Sequence, residues 1–376
     1  MSEEIRRYID TILFRKPDRV PLAPGGPRQS SLRAWRRQGL PEGVSYIDAM
    51  IGELGLSGKA LLRMHGIDAS FRMLPEYEPV ILDHRDGHYV IRDHMGAITE
   101  ISDEFDESYL RTAKDFVTRK WHKFPVENRD DWVAMKQRFD PATEGRVSAD
   151  AASRCAASTA EGAVPSLVFN GVFWQLREWC GFENLCVLMA EDPDFVHEMA
   201  SYWTDFVLAM LDRILPMARP VRVLINEDMA YKAHSMISPA MTRVFILPAY
   251  RQWVRRLRQA GCEVIEVDSD GFIEELVPLW VEVGIDCCSP IEVAANCDIL
   301  RMRRTHGDRM AYVGGIDKRL IAVGGKAMED HVMSIVPKMF EQGGYIPGCD
   351  HGVPPDISWQ NYMAFAKLLA KLSGWL

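Results

Sequence analysis

Cysteine, histidine and carboxylate side chains gather at a few glycine- and proline-marked turns of this chain. The densest turn lies in Gly343–Asp356, GGYIPGCDHGVPPD. Cys349, Asp350 and His351 stand there in a row, and each can bind a metal or move a proton. Tyr345 and Ile346 before them read as a short buried strand, and Gly352 to Asp356 as the turn into a last helix. The same residues also suit a plain helix start, so their role depends on what meets them. A second group is Asp268-Ser269-Asp270, where the i, i+2 spacing points both carboxylates to one face of an extended segment. Asp270-Gly271 also reads as a turn and helix cap. Further acids follow other apolar runs: Glu227 and Asp228 after Val221–Ile225, Glu292 after Ile285–Ile291, and Asp317 after Met310–Ile316. Two carboxylates with a thiolate suit a divalent metal of borderline softness, zinc first. Calcium is disfavoured, because EF-hand spacing is absent and thiolate is a poor ligand for it.

These groups need a scaffold that brings separate strand ends together. Apolar runs near residues 20, 70, 167, 223, 265, 287, 312 and 346 read as eight strands, with helical patterns between most of them. Alternating strands and helices, with polar residues after each strand, predict an α/β fold of the (β/α)8 TIM-barrel type. The rival is an open doubly wound sheet, but no glycine fingerprint for a dinucleotide is present. In a barrel, Glu227, Asp228, Asp268, Asp270, Glu292, Asp317, Cys349, Asp350 and His351 share one mouth, with Lys232, His234, Lys318 and Arg319 nearby. So many carboxylates in a low-dielectric cup repel one another unless a cation or protons neutralise them. Arg28, on the glycine-rich turn after the first strand, is either an anion clamp or a solvated loop arginine.

The remaining segments frame that barrel. Residues 1–16 and 45–63 read as helical, and DDWVAMKQRFD is a clear helix within an amphipathic, loop-rich stretch at 103–163. The alternation from Pro79 to Ile101 predicts a β-hairpin or meander, inserted at about 79–102 into a single barrel domain spanning 1–376. Its histidines, His84, His88 and His94, lack ligand spacing and read as surface residues.

Composition narrows the function classes. A net charge of -9 without a basic stripe argues against nucleic-acid binding. No apolar run reaches the roughly 18 residues of a membrane span, and MSEEIRRYID is not a signal peptide. Eight cysteines without a CxxC pair point to a reduced, cytoplasmic protein.

Several segments together resemble the uroporphyrinogen decarboxylase superfamily over nearly the whole length. They are KPDRVPLAP, FPVENRDDW, GFENL with DPDFV, NEDMAYKAHSMISPAM, VDSDG, SPIEVAANCD, GGIDKR and GGYIPGCDHGVPPDISWQNY. The chain is more similar to the branch grouped with cobalamin-dependent methyltransferases than to the decarboxylases of haem synthesis. Those decarboxylases hold substrate carboxylates with the arginines of an N-terminal MRQAGR motif. Here that place reads Pro24-Gly25-Gly26-Pro27-Arg28-Gln29, with one arginine. The methyltransferases bind zinc through His-x-Cys-Gly and a later cysteine. Cys349 matches that cysteine, but Asp268-Ser269-Asp270-Gly271 replaces the first motif and makes the metal site harder.

The resemblance implies zinc at Asp268, Asp270 and Cys349, polarising the oxygen of a small O-methylated substrate, aromatic or not. The methyl group would pass to the cobalt of a corrinoid (cobalamin) carried by a partner protein. Glu227, Asp228, Glu292 and His351 are candidates for the remaining coordination position or for proton donation. Arg28, Lys232, His234, Trp174, Tyr231 and Asp317 are candidate substrate contacts, although Trp174, Tyr231 and Trp359 also read as ordinary core aromatics. Two other readings stay open: a metal-free decarboxylase or lyase on a carboxylated substrate, and a non-catalytic ligand-binding barrel. A homodimer is plausible, with the inserted hairpin as its candidate surface.

Overall fold

A computed structural model describes residues 1–104 and 119–376. Its frame is a parallel sheet of seven strands in the order β1-β6-β7-β8-β9-β10-β11. These are β1 (Met64–Gly66), β6 (Val164–Asn170), β7 (Arg222–Asn226), β8 (Val264–Asp268), β9 (Cys287–Ile291), β10 (Ala311–Ile316) and β11 (Tyr345–Cys349). Helices separate most successive strands, as right-handed parallel crossovers require. The six strands from β6 onward sit where the apolar runs predicted them.

The start of the barrel differs from expectation. The strand expected near residue 70 is β1 at Met64–Gly66, and the strand expected near residue 20 is not regular. Residues 22–24 still fill the gap between the two edge strands. Leu22 exchanges backbone hydrogen bonds with Ala60 and Leu62, and Pro24 O accepts from Cys349 N at 3.1 Å. Pro21 and Pro24 have no N–H to donate, so this segment closes the barrel without forming a full ladder.

A second sheet is antiparallel, in the order β2-β3-β4-β5: β2 (Val80–Arg85), β3 (His88–Arg92), β4 (Ile98–Ser102) and β5 (Lys120–Lys123). The first three strands are the expected meander. β5 was not expected, because KWHK is short, polar and exposed along its whole length. Residues 105–118, within the stretch read as amphipathic and loop-rich, lie outside the described residues. His84 and His88 are exposed, and His84 pairs with Asp103 at 3.0 Å.

Helix faces fill the space outside the barrel. The helix Pro193–Ile214 starts at Asp192, whose side chain accepts from Phe195 N, and buries Phe195, Trp203, Phe206 and Met210. Trp132, Trp179 and Phe139 complete this aromatic layer. Trp359 packs against Trp35 and Tyr362, so it belongs to the core. Arg146 is fully buried beneath Phe206 and donates to the carbonyls of Ser70, Arg72, Arg138 and Asp140. One guanidinium thus ties three loop segments together. Burial lowers its pKa to about 10, which still leaves it charged at neutral pH.

Candidate active site

A cavity of about 840 Å3 opens where the strand ends converge. Asp228, Asp268, Asp270, Cys349, His351 and Trp174 all line it, together with Asn226 and Ser289. Alternate residues line the cavity at and just past the strand ends. Asn226 and Asp228 face the cavity, and Glu227 between them points away. Cys349 and His351 face it, and Asp350 between them is fully buried on the far side.

The lining carboxylates perturb one another. Burial, then the neighbouring Asp270 and Glu266, push Asp268 up to about 7. Burial also raises Asp228, partly offset by Arg177. His351 Nε2 lies 3.1 Å from Asp270 Oδ2, and this contact raises the imidazole pKa. Burial pushes the Cys349 thiol up to about 12, so it is neutral unless a cation joins it. Below the floor, Arg222 donates to Glu266 at 2.6 Å, and Ser289 Oγ donates to the other Glu266 oxygen at 2.5 Å.

Asp228 has a φ of +35°, a conformation that costs a non-glycine residue on the order of 1 kcal/mol or more. Arg177, from the helix Val172–Cys180, holds it there. Its guanidinium donates to the Asp228 backbone oxygen and to Oδ2, both at 3.1 Å, and lies 4.5 Å from the centre of the Trp174 ring. Nothing local in the sequence marks Arg177; only the docking of its helix against β7 gives it a role.

The other expected site residues lie elsewhere. Glu227 is fully buried behind the cavity, where it accepts from Trp174 N at 3.0 Å and from the Tyr250 hydroxyl. It therefore closes the N-terminus of the helix that carries Trp174. Glu292 accepts from Gly271 N at 3.0 Å and from Lys318 Nζ at 3.1 Å, so it fixes the loop after Asp270. Asp350 accepts from the backbone N–H of Val293, Ala294 and Lys318. Asp317 caps the helix Lys318–Val323 and pairs with Arg319. Tyr231, Lys232 and His234 are exposed on a loop outside the cavity. Arg28 starts the helix Gln29–Arg37 and gives its backbone N–H to Val353 O; it does not itself line the cavity, but its side chain lies beside the lining residue Gly352 and its charge partly offsets the rise of the Cys349 thiol pKa.

Zinc can be tested against this donor set. A thiol, an imidazole and carboxylates on one wall are the right donor types. Among the described residues, however, no group of three or more His, Cys, Asp or Glu side chains is arranged to hold a metal ion. Asp270 instead meets His351, so a metal held by Asp270 would have to replace that contact.

An α/β barrel with an acid-lined cavity at its strand ends defines the class of protein. Residues 122–372 match the uroporphyrinogen decarboxylase (URO-D) family, and the chain belongs to it. The uroporphyrinogen decarboxylase of Edwardsiella ictaluri (strain 93-146) is 24% identical over 230 residues, covering 56% of this chain and 60% of that protein. That of Bacillus cereus (strain B4264) is 30% identical over 125 residues, 32% of this chain and 33% of that protein. The chain thus spans at most about 60% of the length of these curated relatives. In three dimensions it is similar to a methyltransferase from Methanosarcina mazei, with a TM-score of 0.58 at 12% identity over 98% of each chain. Among the described residues no helix is long and apolar enough to cross a membrane.

Proposed function

We propose that this chain is a methyltransferase that moves a methyl group from a small O-methylated substrate to a corrinoid protein, with zinc at Asp268, Asp270 and Cys349. The observation that carries this reading is the composition of the cavity wall. A thiol, an imidazole and three carboxylates meet on its strand-end side, with a fourth carboxylate, Asp48, on the side opposite, while Arg63 is the one guanidinium among the described lining residues. Such a wall suits a cation and a neutral substrate better than a polycarboxylate.

When bound, zinc would supply Lewis acidity to the substrate oxygen. The chain's own groups do the rest. His351 Nε2 lies 3.1 Å from Asp270 Oδ2, a contact that raises the imidazole pKa, and His351 would give a proton to the oxygen that loses its methyl group. Arg177 keeps Asp228 in place on the wall, and Glu227 holds the helix that presents Trp174. The family relationship favours a second reading, a metal-free decarboxylase acting on a carboxylated substrate. The scarcity of cations on the wall weighs against it.

Metal analysis tests the proposal. The purified wild type should carry zinc, and Asp270→Ala and Cys349→Ser should lose most of it. Full retention in both variants would refute the ligand assignment. Turnover of a carboxylated substrate without corrinoid protein would favour the decarboxylase.

A further inference from the structure

The two sides of the cavity come from different parts of the chain. The reactive side is built by strand ends within residues 122–372, the part that matches the family. The opposite side comes from residues before that part, chiefly the helix Tyr46–Leu54, which contributes Tyr46, Ile47, Met50 and Ile51.

That helix is anchored from behind. Ser45 caps it, Met50 is buried, and the Tyr46 ring lies 6.2 Å from Trp35 and 6.3 Å from Tyr362. Ile47 and Ile51 are one helical turn apart and share a face. Both line the cavity, and neither is buried: Ile47 is 37% exposed and Ile51 is partly exposed. Two β-branched side chains held against water on a fixed helix favour an apolar occupant, because covering them releases that water. Among the described lining residues on this side of the cavity, the charged ones are Asp48 and Arg63, one of each sign. A cavity of about 840 Å3 is also far larger than a one-carbon substrate needs.

We propose that Ile47 and Ile51 determine the specificity of this site, and that its methylated substrate carries an uncharged apolar body, aryl or alkyl, which lies against them. The methylated end then faces Asp268, Asp270 and Cys349 across the cavity. This inference rests on the methyl-transfer reading and adds the kind of molecule that carries the methyl group.

Calorimetric titration of the full chain tests it, with anisole, hexyl methyl ether, methanol and a methoxyphthalate as probes. Anisole and hexyl methyl ether should bind, whereas methanol and the dicarboxylate should not. The double variant Ile47→Asp with Ile51→Asp should weaken the two apolar ethers about tenfold or more, with zinc content unchanged. Ile47→Asn alone, at an exposed position that leaves the fold intact, should weaken them about threefold and decides the matter if the double variant does not fold. Failure of both ethers to bind, equal binding by wild type and variants, or tighter binding of the dicarboxylate would each overturn the proposal. The methyl-transfer reading fails separately, if the ethers bind through these isoleucines but give no methyl group to reduced corrinoid protein.

Discussion

Glu227 offers a quantitative test of how the helix behind the cavity is held. Its carboxyl group is fully buried, and burial raises its pKa from the ordinary 4.5 to about 7. The Tyr250 hydroxyl and the Trp174 N–H bond to it and limit the rise. A carboxyl with a raised folded-state pKa binds its proton more tightly in the folded chain than in the unfolded one. Folding stability from this group therefore falls as pH climbs from 4.5 through about 7, then levels off. The difference of about 2.5 in pKa, at about 1.4 kcal/mol each, amounts to about 3 kcal/mol. Glu227→Gln keeps an acceptor for the Trp174 N–H but cannot ionise, so it lacks this loss. Urea unfolding of both proteins, from about pH 5 to about pH 8, measures the gap. Relative to wild type, Glu227→Gln should gain about 2.5 kcal/mol across that range, the rest of the difference falling below about pH 5. A gap that stays constant within about 1 kcal/mol would refute the buried, ionising carboxylate.

Two further perturbations test the packing around the site. A Cβ at Gly171 would overlap the Glu227 carboxylate, so Gly171→Ala should cost about 1–3 kcal/mol and disturb the helix that carries Trp174. Thermal unfolding measures this, and an unchanged melting temperature would contradict the close approach. Arg146→Met should cost about 3–5 kcal/mol, because it leaves the carbonyls of Ser70, Arg72, Arg138 and Asp140 without their shared donor. Urea unfolding measures it, and a loss below about 1 kcal/mol would show that water serves those carbonyls equally well.

The sequence by itself determined the barrel and the acid-lined side of its cavity. Runs such as Val264–Asp268 and Tyr345–Cys349 are short, apolar and followed by polar turns, and those properties are local. The i, i+2 spacing of Asp268 and Asp270 was enough to place both carboxylates on one wall. The sequence placed Glu227 and Asp350 in the same mouth as their neighbours, and only the structure turns both of them away from the cavity into buried hydrogen-bonding positions. The loop residues Tyr231, Lys232 and His234 had no such rule, because a loop has no period, and they lie outside the cavity. Tertiary structure alone decided the rest. Arg177 reaches Asp228 across 51 positions of chain, and Glu227 reaches Trp174 across 53. Ile47 and Ile51 face strand ends from the far part of the chain. Such partners meet only after helices pack, since their contacts depend on the angle and distance between elements that no local pattern encodes.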